Sequence, residues 1–325
     1  MSDRIKAIEI TEFGGPEKLT LIERACPAPA AGELRVRLTA IGINMADTYQ
    51  RTGLYPVQLP AGMGNEGAGI VEAVGDDVSD IKPGDRVAFV TGQGAYAEAI
   101  ILPAGAVVRL PDDIEDTQAA AILLKAMTVD YLFNDTFPLH GGETVLFHAA
   151  AGGVGLIACQ WARHLGVSLI GTASTQEKCT RAIHHGAEAC LILESENIAD
   201  ELNAASNGGF RVIYDSVGKS TYELSLHALA PFGTLVSFGN ASGPIEAVSP
   251  AALASLGSLY FTRPTLFTFL MQPGWMQKSA DKIFALMQQG ILHAEINQRY
   301  RLEDVQRAHE ELEGRKTTGC SIILP

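Results

Sequence analysis

The sequence predicts an α/β chain in two parts, a doubly wound parallel sheet inserted into a partly open β-barrel domain that uses both chain ends. Three observations carry this. The first hundred residues are short apolar runs punctuated by Gly and Pro, strands and helices alternate from Glu143 onward, and the chain closes on one more strand-like run at 319–324. A terminal strand must pair somewhere, and the N-terminal β segment is the expected place. At 325 residues the chain also exceeds the roughly 250–300 that one core sustains. The expected division is 1–127 plus 267–325 for the substrate domain and 128–266 for the inserted domain.

The runs at 5–10, 34–40, 68–74 and 86–90 read as strands. The last is fed by Lys82-Pro83-Gly84-Asp85, whose Pro and Gly supply the φ values of a turn. Near residue 112 the pattern changes. Asp112 or Asp113 is expected to cap a helix, and 116–133 is alanine-rich and apolar at helical spacing. The continuous apolar run 145–149 suits a strand buried on both faces of a parallel sheet. Helix Gly153–Leu165, strand 168–172 and helix Gln176–His184 follow, then strands at 190–193, 212–215 and 234–238. A short strand at 258–261 is expected to close the sheet at an edge. Helices at 278–289 and 302–312 precede the final strand.

Composition narrows the function classes. With 47% hydrophobic and 19% charged residues, the chain reads as an ordinary soluble globular protein. It contains no apolar run of the roughly 20 residues that cross a bilayer. Met1-Ser2-Asp3-Arg4 lacks the features of a secretory signal, so the cytoplasm is expected. The net charge of -13, from 37 acidic and 24 basic residues, opposes nucleic acid and anionic membranes as partners. The five cysteines are odd in number and form no CxxC pair, which supports neither a disulfide framework nor a cysteine-rich zinc lobe.

The sharpest motif is the strand Val145-Leu146-Phe147-His148-Ala149, followed by Ala150-Ala151-Gly152-Gly153-Val154-Gly155 and an apolar helix. Gly152 lets a pyrophosphate approach the backbone, and Gly155 lets the helix pack close to the strand. The helix N-terminus supplies N–H donors and a partial positive charge. This is a Rossmann dinucleotide turn, although Ala150 replaces the first glycine of the strict fingerprint. An NAD site would carry a carboxylate at the end of the second strand. Here that strand ends Gly171-Thr172-Ala173-Ser174, and Lys178 follows as a point charge for a 2′-phosphate. Glu177 argues mildly the other way. NADPH is the expected cofactor.

Gly42-Ile43-Asn44, Asp47-Thr48-Tyr49, Gly53-Leu54-Tyr55-Pro56, Pro83-Gly84-Asp85-Arg86-Val87, the run 147–155, Tyr214-Asp215-Ser216-Val217-Gly218, Ser237-Phe238-Gly239-Asn240 and Thr262-Arg263-Pro264 together resemble one family. It is the quinone oxidoreductase (zeta-crystallin-like) branch of the medium-chain dehydrogenase/reductase superfamily, near its bacterial NADPH:quinone reductases. The resemblance covers nearly the whole chain and implies a GroES-like barrel around the Rossmann domain. It also implies a zinc-free site. Asn44 stands where zinc-dependent members carry a ligating Cys, and Gly64-Asn65-Glu66 replaces their Gly-His-Glu. Amides are poor substitutes for thiolate and imidazole donors, so no metal residues are assigned.

By resemblance, Asn44 and Tyr49 lie near nicotinamide and substrate, with Tyr55 at the edge of the site. Asn44 also reads as a turn cap, Tyr49 as a half-buried structural tyrosine, and Asp47 as a structural acceptor. Lys125 and Thr128, three residues apart and so on one helix face, are placed by the family against cofactor ribose and phosphates. The cofactor set is Lys125, Thr128, Gly152, Gly153, Val154, Gly155, Ser174, Lys178, Phe238, Asn240 and Arg315, the last reaching the 2′-phosphate in relatives. Leu193 stands where relatives often carry a Tyr, which removes one adenosine-phosphate contact.

The implied activity is zinc-independent transfer of reducing equivalents from NADPH to a quinone. An NADPH-dependent alkenal or enone double-bond reductase fits the same scaffold, as does a non-catalytic NADPH-binding sensor or structural protein. A homodimer through the edge near residues 258–261 is also expected.

Overall fold

The computed structural model describes residues 4–206 and 208–325. The chain divides into two compact units, Met1–Leu124 with Met276–Pro325, and Lys125–Trp275. In the first unit β1 (Arg4–Ile10), β2 (Thr20–Ala25) and β3 (Glu33–Ile43) lead to helix α1 (Met45–Thr52). β4 (Ala61–Gly62), β5 (Glu66–Val74), β6 (Arg86–Val90), β7 (Ala99–Pro103) and β8 (Val107–Arg109) follow, and then helix α2 (Asp116–Asp130).

Helix α2 begins at Asp116, where its alanine-rich run places it, but neither Asp112 nor Asp113 caps it. Asp112 and Asp113 lie in a turn, and Asp116 itself opens the helix, accepting from Thr39 Oγ1 at 2.6 Å and pairing with Arg86 at 2.7 Å. The sequence pattern carries the helix to Phe133. In the structure it widens at Tyr131–Thr136 into a π-type turn that ends where the Phe137 N–H donates to Leu132 O.

In the second unit the elements alternate: β9 (Thr144–Phe147), α3 (Gly153–Leu165), β10 (Ser168–Ala173), α4 (Gln176–His184), β11 (Ala189–Ile192) and α5 (Ile198–Ser206). They continue as β12 (Phe210–Asp215), α6 (Tyr222–Ala228), β13 (Leu229–Ser237), α7 (Pro250–Ser255), β14 (Tyr260–Thr262) and α8 (Leu266–Leu270). Among the described residues the strands form one parallel sheet in the order β11-β10-β9-β12-β13-β14. Counted along the chain this is 3-2-1-4-5-6, the doubly wound order, whose direction reverses between β9 and β12. The short strand β14 closes one edge. Leu146, Ile170, Phe210, Ile213 and Leu235 form the buried centre.

The chain then returns through α9 (Trp275–Gln288), β15 (Ile296–Arg301), α10 (Val305–Glu313) and β16 (Cys320–Leu324). The last strand pairs where the pattern required, antiparallel to β3 with Ile322 opposite Gly42, while its other edge pairs with β15. Ile322 and Ile323 are fully buried, each worth roughly 1.5–3 kcal/mol of apolar burial. The larger sheet of this unit runs β15-β16-β3-β5-β6-β8, with β7 also pairing β3, and β2-β1-β4 form a smaller one.

Candidate functional site: a dinucleotide turn and a capped tyrosine helix

In the second unit the chain leaves β9 through a turn in which Ala149 takes the left-handed conformation, φ 56°. Such a residue without a glycine's freedom costs about 1–2 kcal/mol. The Gly152 N–H donates back to Ala149 O at 3.0 Å, and Gly152 caps α3. Gly152 is exposed, and Gly153 and Val154 are half-buried, so the positive end of α3 opens at this turn. Gly155 is buried for a different reason. A Cβ there would stand 2.5 Å from Ala149 O and 2.6 Å from Ala150 Cα, so its lack of a side chain lets the helix lie on the turn.

His148 holds the turn from beneath, which sequence reasoning missed. Its Nδ1 lies 2.8 Å from Thr172 Oγ1 on β10, and its Nε2 lies 3.0 Å from Ser225 Oγ on α6. Burial holds the imidazole below its usual range, which keeps it neutral. A lone histidine inside an apolar strand run was the available signal.

Ser174 follows β10, half-buried, and Thr175 caps α4 by accepting from the Lys178 N–H at 3.3 Å. Lys178 is half-buried on that first turn. Glu177 points elsewhere, with its carboxylate exposed and 3.9 Å from Arg181. Leu193 is half-buried and donates its N–H to Ala173 O at 2.9 Å. Phe238, just past β13, packs on Phe147 with ring centroids 5.6 Å apart. Asn240 is oriented so that its amide oxygen accepts from Arg263 Nη2 at 3.2 Å, while Arg263 Nη1 donates to Ser237 O at 3.0 Å. Gly152, Ser174 and Phe238 therefore all follow the C-terminal ends of parallel strands, the edge at which doubly wound sheets take ligands. Lys125 and Thr128, on α2, are 4% and 7% exposed.

In the first unit Asn44 follows β3 and caps α1. Its backbone N–H donates to Asp47 Oδ2 at 2.7 Å, and its side chain faces the Asp47 backbone N–H in return, which completes a capping box. Its side-chain Nδ2 donates to Glu66 Oε1 at 2.9 Å. One turn into the helix, Tyr49 is buried, and its ring meets Tyr55 edge-to-face at 5.1 Å. The Tyr55 N–H donates to Tyr49 O at 3.0 Å, which folds the loop after α1 back on the helix. Arg315 lies exposed just after α10, with φ 56°.

A buried polar chain lies behind α1. Asp47 Oδ2 also accepts from Tyr96 OH at 2.7 Å, and Asp47 Oδ1 accepts from Asn65 Nδ2. Tyr96 OH lies 3.2 Å from His309 Nε2, and His309 Nδ1 lies 3.1 Å from Arg51 Nη1. Arg51 continues to Glu313 at 2.7 Å. Burial, aided by Arg51, pushes the His309 imidazole down to about 3. The ring is therefore neutral, which fixes the direction of the chain. Arg51 donates to Nδ1, Nε2–H donates to Tyr96, and Tyr96 donates to Asp47. Burial pushes the Asp47 carboxyl up to about 6 despite these donors. Asp47 is thus an acceptor, as the sequence implied. Tyr96, His309, Arg51 and Glu66 went unseen because no spacing links residues this far apart.

Two family models match the chain, the "Alcohol dehydrogenase GroES-like domain" over residues 30–112 and the "Zinc-binding dehydrogenase" over residues 153–288. The quinone oxidoreductase of Pseudomonas aeruginosa is 51% identical over 98% of this chain and 99% of its own length. The chain belongs to the quinone oxidoreductase branch of the medium-chain dehydrogenase/reductase superfamily. The quinone oxidoreductase of Salmonella typhimurium is 45% identical, covering 98% of this chain and 99% of that one. Among solved structures, Escherichia coli quinone oxidoreductase complexed with NADPH superposes with a TM-score of 0.96 at 43% identity, covering 98% and 100% of the two chains.

The zinc in the second family model's name does not fit these residues. Asn44 and Asn65 turn their NH2 groups toward Glu66 and Asp47, and Asn65 Oδ1 accepts from Gln50 at 3.2 Å. A cation among them would meet N–H donors where it needs lone pairs. Among the described residues no group of three His, Cys, Asp or Glu is placed to hold a metal.

Proposed function

We propose that this quinone oxidoreductase family member transfers reducing equivalents from NADPH to a quinone without a metal. The observation that carries the reading is the open turn at Gly152, after the C-terminal end of β9, with no carboxylate at the end of β10, where an NAD site would have one, and Lys178 on the first turn of α4 that follows. When bound, NADPH supplies a hydride equivalent from its nicotinamide ring. The N-terminal N–H groups at Gly153, Val154 and Gly155 hold the diphosphate. Lys125 and Thr128 hold ribose and phosphate oxygens, and Ser174, Lys178 and Arg315 the 2′-phosphate. Phe238 and Asn240 flank the nicotinamide. Asn44, Tyr49 and Tyr55 orient the acceptor, and the Tyr49 hydroxyl donates toward the oxygen that gains charge.

The test is initial-rate oxidation of NADPH and NADH with a naphthoquinone and with an enone, with and without EDTA. EDTA-resistant, NADPH-preferring quinone turnover is expected. Faster enone turnover would assign the site to double-bond reduction, and tight NADPH binding without turnover would make the protein a binder.

The preference for NADPH should reside in Lys178. Lys178→Ala is expected to weaken NADPH binding about 10–30-fold, the loss of one charged phosphate contact, and to leave NADH binding within about twofold. Equal losses for both cofactors, read by nicotinamide fluorescence, would remove Lys178 from the 2′-phosphate site.

We place the protein in the cytoplasm, a reading that its cysteines, none of them in a disulfide among the described residues, support. It works as a homodimer. Strand β14 is a sheet edge on which Tyr260 is 60% exposed, and Phe232 on the neighbouring β13 is 69% exposed. An apolar edge of this kind needs a cover, which a two-fold copy of itself supplies. A monomer in light scattering at micromolar concentration would count against it.

A further inference from the structure

Glu66 is fully buried, and both of its oxygens accept hydrogen bonds. Oε1 takes Asn44 Nδ2 at 2.9 Å, and Oε2 takes the backbone N–H of Leu124 at 2.8 Å. Glu66 opens β5 directly opposite Gly42 on β3. A Cβ on Gly42 would fall 2.3 Å from Glu66 Oε1 and 2.3 Å from Ala120 O. Strand β3 thus lacks a side chain where the carboxylate crosses to α2. Glu66 grips α2 at the residue immediately before Lys125, and at its other oxygen it holds the amide of Asn44.

An amide side chain can present either end, since its oxygen and nitrogen differ little in shape. A carboxylate accepting from Asn44 turns the NH2 inward. We propose that Glu66 is the positioning residue that sets the polarity of Asn44, so that the Asn44 carbonyl oxygen, one lone pair of which faces the Asp47 N–H in the capping box, offers its other lone pair to the nicotinamide or substrate. The inference rests on the reading of Asn44 as a site residue. It assigns a task to a carboxylate that no ligated metal explains, and it gives Gly42 a reason.

Glu66→Gln tests it at nearly constant shape. The new NH2 must face either the Leu124 N–H or the Asn44 NH2, and rotation of Asn44 relieves the second conflict. The expected result is a fall of roughly tenfold or more in kcat for quinone reduction, with NADPH Kd by fluorescence within about threefold. The swapped pair Glu66→Gln with Asn44→Asp restores donor to acceptor and leaves an oxygen facing outward. It should regain most of the lost kcat, a rescue that a purely structural role would not produce. Wild-type kcat in Glu66→Gln, or a swapped pair no faster than Glu66→Gln alone, overturns the proposal.

If Glu66→Gln does not fold, the swapped pair is compared with Asn44→Asp alone, which sets two carboxylates face to face and must be the slower of the two. Equal rates there overturn the proposal as well. Asn44→Ala separates the levels. If it turns over quinone at the wild-type rate, the assignment of Asn44 itself fails and takes this inference with it. If it is slow while Glu66→Gln is not, only the inference fails.

Discussion

Gly152→Val is expected to fold normally and to lose NADPH affinity by about a thousandfold, or about 4 kcal/mol. Gly152 has φ -78° and ψ 172°, which any residue adopts, and it is exposed, so a side chain there costs the fold little. The nearest atom to an added Cβ is Ala149 O at 3.3 Å. The two methyl groups would instead occupy the space over the helix N-terminus that a diphosphate needs. Gly155→Ala is the contrasting variant. Its methyl meets backbone at 2.5 Å, which should cost about 1–3 kcal/mol of stability. Fluorescence titration beside thermal melts reads both effects. Normal NADPH affinity in Gly152→Val would mean that the diphosphate sits elsewhere.

The second large effect is on the pH dependence of stability, through Asp47. Its carboxyl is pushed up to about 6 in the folded chain from an ordinary value of 3.8. The folded state therefore binds the proton more tightly than the unfolded one. Asp47 favours folding below about pH 4, and that contribution is lost as pH rises through 6. The integrated loss is about 3 kcal/mol. Asp47→Asn removes the titration and keeps an oxygen for Tyr96. Relative to wild type, the variant should gain about 2–3 kcal/mol between pH 4 and pH 7 in urea unfolding. A difference that stays constant across that range would show that Asp47 does not titrate there.

These two cases differ in how much of them the residues alone disclosed. Helix Gly153–Leu165 and its phosphate turn were legible because glycines bracket a strongly apolar run, and local rules suffice for local structure. Strand Arg86–Val90 was legible because the Pro83-Gly84 turn leads into a short apolar run, and helix Gln176–His184 because it fills the gap between two strands of an alternating series. Helix α1 was not, although Asn44 followed three residues later by Asp47 is a capping signal. Its eight residues are mostly polar, with no apolar stripe to mark a helix. Strands β2, β4, β7, β8 and β15 were also missed. The burial pattern of β2 never falls below half-exposed, so its sequence lacks the apolar alternation that marks a strand. The chain from Arg51 through His309 and Tyr96 to Asp47 joins β7's approach, α1 and α10, and only tertiary packing assembles it. Glu66 stood in plain view within Gly64-Asn65-Glu66. Its partner, a backbone N–H on α2, has no signature in any sequence.

The placement of β16 bears on the order in which the molecule is made. The chain that forms the second unit, Lys125–Trp275, is continuous and is complete once the ribosome has passed it. The first unit is not. The stretch of β3 at 41–43 must wait for Ser321, Ile322 and Ile323, which follow the whole inserted unit in the chain, before its edge is covered, whereas 33–37 pair with the earlier β7. Until β16 emerges, the newly made N-terminal segment presents a stretch of unpaired strand edge, the kind of surface that draws chaperones or neighbouring chains. The inserted unit can form first and on its own contacts, while the unit that carries Asn44, Tyr49 and Glu66 is finished only once β16 has followed it.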